Sequence, residues 1–273
     1  MSWLSLVVVG AAGLGSMRAA VERGDVDEAT RQGVLAGAGV VEQALRAPDR
    51  ATRLAGIAAA PRVEGRAELL DALAVAAAGP DRRTALPAAR AARTIARELA
   101  ARGLPEGLPD DLAPDDVVRW RDAWATLARR GDRWIDLRVV ALDTAAALDP
   151  GGTGVDLGAA LSDPDPALRQ AALAVVPAPT PARMRAPLAG AVISDTDARV
   201  ALAAAATLCA DLPADPAGPL LDVLGGAGLT RLRVLVTTDG APRADVRVAA
   251  RCLAADGSPA STAALRAIRG ALR

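Results

Sequence analysis

The amino-acid sequence predicts an all-α protein, an α-solenoid of stacked helix pairs, and three observations carry the prediction. Alanine, the strongest helix former, dominates the chain, and alternating β-branched patterns are scarce. Pro, Gly and Asp cut the rest into segments of about 10 to 20 residues. An aspartate with an arginine two to four residues later recurs at 49, 81, 136, 165, 197 and 245, at intervals of 32, 55, 29, 32 and 48. Such a period marks units that cannot bury an apolar face alone and must stack on their neighbours.

Taken in order, the first segment is "MSWLSLVVVGAAGLGSMRAA", whose apolar run from Trp3 to Gly15 is shorter than the roughly 20 residues of a membrane span. It matches the apolar middle of a secretory signal, with Gly13 and Gly15 as small residues for cleavage. The first positive side chain, Arg18, follows the run instead of preceding it, so a buried N-terminal helix or a wrongly chosen start codon are the alternatives. Residues 1–20 are therefore set apart from the array at 21–273. Helices are expected over 26–47, 49–60, 64–78, 82–101, 115–130, 133–148, 155–162, 165–176, 181–193, 197–211, 217–224, 229–236, 243–255 and 259–271. "GGTG", "PAPTP" and "PADPAGP" punctuate them, and "GLPEGLPDDLAP", 103–114, is the expected break between two halves. Pro87 should break the first turns of 82–101, whose arginines read as a solvated face. No later stretch reaches 18 apolar residues, so no transmembrane span is expected.

Each signature aspartate stands where a helix should start, and there a carboxylate caps free N–H groups and complements the helix dipole. The arginine, slightly further in, is expected to reach the aspartate of an adjacent repeat. This assigns a structural ladder to Asp136 and Arg138, Asp165 and Arg169, Asp197 and Arg199, and Asp245 and Arg247. Arg199→Ala should then cost about 1 to 3 kcal/mol. Val200, Ala201, Ala204, Ala205 and Leu208 form the expected inner stripe of their helix.

"DPDPALRQAALAVV" at 163–176, "SDTDARVALAAAATL" at 194–208 and "ADVRVAARCLAADG" at 244–257 resemble HEAT repeats, in particular the bacterial phycobilisome-lyase-like kind. "DRATRLAGIAAA" and "IDLRVVALDTAAAL" match more weakly. The resemblance covers most of 49–273 and implies a right-handed superhelix of about five or six helix pairs. It implies scaffold or adaptor roles and assigns no chemistry.

Composition narrows the function classes. Basic and acidic residues number 32 each, so no whole-chain field favours nucleic acid or anionic lipid. The absence of Lys, Asn, Phe and Tyr fits a GC-rich genome; the absence of His removes His-based triads, imidazole ligands and pH switches. Cys209 and Cys252 cannot form a four-cysteine zinc site. They read as buried apolar residues, and a disulfide requires export. Their offsets from Arg199 and Arg247, ten and five residues, argue against neighbouring positions.

Trp120 and Trp124 share a helix face within six interleaved arginines, so Trp120, Trp124, Arg121 and Arg130 form the candidate partner-binding patch. The plainer reading has the tryptophans filling the core. The expected function is a non-enzymatic scaffold for a protein partner, with no catalytic residues, metal or cofactor. A nucleic-acid enzyme of the HEAT-like DNA glycosylase type and an exported cell-envelope structural protein are the alternatives. Export is preferred over a cytoplasmic location.

Overall fold

The computed structural model describes residues 3–104, 113–211 and 217–269, and all regular structure among them is helical. The chain divides into two compact units, Met1–Val155 and Asp156–Arg273. The division falls after Val155; of the expected break at 103–114, residues 105–112 lie outside the described residues, and the helices on either side of it both pack on Leu70–Ala78 and Ile135–Ala147 inside the first unit.

The first unit holds α1 (Trp3–Glu22), α2 (Val26–Ala36), α3 (Ala38–Leu45), α4 (Arg50–Ala59), α5 (Leu70–Ala78), α6 (Arg82–Ala101), α7 (Pro114–Arg129) and α8 (Ile135–Ala147). Side-chain caps start several of them: Asp25, Asp49 and Asp81 accept from Glu28, Thr52 and Arg83 N–H. The single helix expected over 26–47 is two, because Gly37 at φ 88° takes a conformation that ends α2 and starts α3. Pro87 lies inside α6 without ending it. The buried stripe of Ala85, Ala88, Ala89, Ala92 and Ile95 holds that helix to its neighbours despite the missing N–H.

Alternate helices form two layers here: α1, α3, α5 and α7 contact one another in sequence, as do α2, α4, α6 and α8. The layers meet over Leu70, Leu73, Ile95 and Leu137, each fully buried and contributing about 1.5–3 kcal/mol. Helix α1 runs unbroken past residue 20 and belongs to this core. Met17 and Ala20 are fully buried with Ala29, Val40 and Ala44, and a Cβ at Gly13 would stand 2.7 Å from that of Ala36. Among the described residues no helix is long and apolar enough to cross a membrane.

The second unit holds α9 (Leu157–Leu161), α10 (Pro166–Ala174), α11 (Ala182–Ser194), α12 (Ala198–Cys209), α13 (Ala217–Thr237, two helical stretches that meet at a non-helical Gly225, φ 59°), α14 (Arg243–Asp256) and α15 (Pro259–Ala267). Its layering is the same, with α9, α11, α13 and α15 in one layer and α10, α12 and α14 in the other. Asp156, Asp165 and Asp197 cap α9, α10 and α12. The predicted stripe Val200, Ala201, Ala204, Ala205 and Leu208 is buried throughout.

Candidate functional site

The tryptophan and arginine stretch lies on α7 and the start of α8. Four residues apart, Trp120 and Trp124 project from one face of α7 into the core, 2% and 0% exposed. Both indole N–H groups are buried without a hydrogen-bond partner. The expected partner-binding patch is corrected on this point, since neither ring offers a face for stacking on a ligand. Arg119 lies 6.0 Å over the Trp120 ring and bonds Asp71 at 2.9 Å and Asp116 at 2.6 Å. Arg121 bonds Asp122 at 2.8 Å and packs so closely on Gly154 that a Cβ there would collide with the guanidinium. Arg130 bonds Asp132 at 2.9 Å. Arg119, Arg121 and Arg130 each face a carboxylate, whereas the exposed Arg129 bonds only the Thr126 hydroxyl, at 3.4 Å.

The ladder also differs from its prediction, because one string of letters occupies different helical positions. Asp165 and Asp197 are N-caps, accepting from Ala167 N–H at 2.8 Å and Arg199 N–H at 2.8 Å. Asp136 and Asp245 instead lie inside the first turns of α8 and α14, whose N-caps are Trp134 and Pro242. Arg138 is buried and donates from Nε to the Ala128 carbonyl at 2.9 Å, back toward its own helix pair. Arg199 and Arg247 are exposed and make no ion pair among the described residues. Asp245 has no partner among the described residues, and burial raises its carboxyl above the usual 3.8. Asp136 does pair with a neighbouring helix, but with Arg82 of α6 at 2.6 Å. Burial alone would raise its carboxyl; the Arg82 and Leu137 N–H bonds outweigh that and hold it lower.

One signature arginine does bridge helices. Arg169 sits four residues past its cap Asp165 and donates from Nε and Nη2 to both oxygens of Asp195, each at 2.8 Å. Nη1 reaches the Asp163 and Pro164 carbonyls at 2.9 and 3.1 Å. The pair is nearly buried, with side chains 11% and 5% exposed. Burial pushes the Asp195 carboxyl up, but the Arg169 bonds, the Asp197 N–H and the Arg169 charge hold it below 3.8.

The first unit repeats this construction at the same offsets. Arg53 sits four residues past its cap Asp49, and its Nη1 donates to the Ala47 and Pro48 carbonyls at 2.7 and 2.6 Å. In both units the next helix of the other layer ends 26 residues after the arginine, two residues before the next capping aspartate. That residue is Asp195 in the second unit and Gly79 in the first. Where the carboxylate is missing there is a cavity of about 370 Å³, lined by Arg53, Leu45, Ala72, Val75, Gly79 and others. Sequence reasoning missed this site, although aligning the chain on its capping aspartates would have found it.

A smaller cavity of about 220 Å³ lies in the second unit beside Arg199, Leu202, Leu235 and Asp239. Cys209 and Cys252, both fully buried, form a disulfide between α12 and α14, which corrects the expectation of two separate thiols. Offsets from arginines in different helical positions are misleading. Counted from the caps Asp197 and Pro242, the cysteines stand twelve and ten residues in, nearly level. Among the described residues no three carboxylate or thiol groups converge as metal ligands. No family model matches this chain, and no curated protein matches it.

Proposed function

We propose that this chain is a non-enzymatic interaction scaffold of HEAT-like repeats, stacked as a right-handed solenoid, that holds a protein partner in an oxidising compartment. The observation that carries the reading is the use to which the polar side chains are put. Carboxylates cap helices or pair with arginines of neighbouring helices, and the only two thiols are closed in a disulfide. Two layers of alternate helices in each unit are the packing expected of stacked helix pairs. The buried disulfide supports an exported location, since such bonds persist outside the reducing cytosol.

The test is cross-linked capture from the native cell envelope, with and without nuclease treatment. A stoichiometric protein partner retained after nuclease is the expected result. Loss of every partner on nuclease treatment would favour the nucleic-acid reading and overturn this one.

A further inference from the structure

We infer that the cavity beside Arg53 is a binding site for the terminal carboxylate of a peptide, which would occupy the place Asp195 fills in the second unit. The inference deepens the scaffold reading and rests on it for the identity of the ligand as a peptide.

The argument starts from Arg169. Its guanidinium is divided in two: Nη1 holds a pair of backbone carbonyls, and Nε with Nη2 forms a two-point grip on a carboxylate. This fork geometry suits carboxylates. Arg53 repeats the first half of the arrangement on the equivalent carbonyls. Its Nε and Nη2 have no partner among the described residues, and Gly79 supplies no side chain to meet them. The same edge that grips Asp195 in one unit is thus open in the other, beside a cavity.

The other charges at this cavity are already engaged. Arg46 bonds Glu42 at 2.6 Å, and Asp71 bonds Arg119 at 2.9 Å. Asp81 accepts from Thr84 Oγ1 and Arg83 N–H, and it lies in the field of Arg50 and Arg53 without bonding either. These two aspartates at the lining disfavour a second negative charge on the ligand. The wall made by Leu45, Ala72, Val75 and Ala76 is apolar. A chain end brings one carboxylate and, on the same Cα, an apolar side chain for that wall. The volume of about 370 Å³ is at the small end for ligand sites, suited to a chain end more than to a segment running through.

The experiment titrates the full chain with N-acetyl dipeptides ending in Ala, Val or Leu, each as free acid and as amide, by calorimetry. The free acids should bind at least about tenfold more tightly than the amides. Arg53→Ala should abolish that difference, and Arg53→Lys should restore it only in part. Gly79→Asp is the sharper variant, because Gly79 has an ordinary φ of −63° and a Cβ there meets only the Ala76 carbonyl, at 3.1 Å. It should install an internal carboxylate on Arg53, raise the melting temperature of the first unit and block the free acids. Equal binding of acids and amides, or no binding of any free acid, overturns the site. So does Gly79→Asp that binds the free acids as the parent does. Loss of the site with partner capture intact would leave the scaffold reading standing, and the converse would leave a carboxylate site without a scaffold.

Discussion

The segments 49–81 and 165–197, one in each unit, are built on the same four positions and differ at one of them. Both have a capping aspartate, an arginine four residues on that clasps two carbonyls, a helix-ending residue, and a second capping aspartate. The helix-ending residue is Gly79 in one and Asp195 in the other. With the carboxylate present, arginine and aspartate close into a nearly buried pair; without it, the arginine keeps its backbone bonds and a cavity remains. The comparison teaches that the carbonyl clasp stands without the ion pair. The ion pair is an addition that a single residue switches on.

The largest effect should separate the units outright. Only the second contains the disulfide, which closes a loop across 43 residues, so replacing both cysteines with serine should cost that unit about 4 kcal/mol. All four tryptophans, Trp3, Trp120, Trp124 and Trp134, lie in the first unit, so their fluorescence follows it while circular dichroism follows both. Denaturant unfolding should show the dichroism transition moving and the fluorescence transition holding still. Equal movement of both would mean that the units unfold as one.

Next comes the arginine itself. Arg169→Ala leaves Asp195 buried without its counter-charge and should cost about 3 kcal/mol, since breaking one side of a buried pair is worse than never having it. Arg53→Ala removes two bonds to carbonyls at the rim of a cavity and should cost about 1 kcal/mol. Comparable losses in parallel urea titrations would remove the distinction between the two segments.

A pH series sharpens the same contrast. The Asp195 carboxyl is held below 3.8 in the native state, so the unfolded chain takes up its proton first as the solution is acidified. Its stabilising contribution is complete above 3.8 and disappears as pH falls through the lower native value. In Arg169→Ala the burial of Asp195, which favours the protonated form, is opposed only by the Asp197 N–H bond. The stability gap between parent and variant should therefore narrow as the pH falls below 3.8. A constant gap would mean that the Asp195 charge has no part in it.

How much of this was legible follows from the range of each interaction. The caps at Asp49, Asp81, Asp165 and Asp197 are legible because a capping carboxylate bonds N–H groups two or three residues away, and sequence spacing fixes that geometry. The bonds between helices were not, because they depend on where each helix starts, and a D-x-R string does not say. At 197 the aspartate is the cap, at 136 it is two residues past Trp134, and at 245 it is three past Pro242. Each step rotates the side chain about 100° around the helix, enough to move an arginine from a neighbouring helix to solvent. The cysteine pairing was obscured by the same misalignment. Trp120 and Trp124 drew a binding reading from their arginine neighbours, yet the four-residue spacing that puts two rings on one face fits a core stripe equally well, and the core is where they are.

The smallest expected effect belongs to the arginine that looked most telling in the sequence. Arg199 stands two residues past its cap, and so does Arg83 in the first unit; both are exposed and neither makes an ion pair among the described residues. A cation in the first turn opposes the positive end of the helix dipole, so neither position gains from its charge. Asp197 keeps its bond to the residue 199 backbone N–H whatever side chain that residue carries. Arg199→Ala and Arg83→Ala should each change stability by less than about 0.5 kcal/mol, with any shift toward greater stability as the repulsion from the dipole is relieved. Thermal melts of the two variants beside Arg169→Ala would decide between the two assignments of the signature: a loss of 1 to 3 kcal/mol at Arg199 would restore it to the ladder, and a flat result leaves the bridging role with the arginine four residues past the cap.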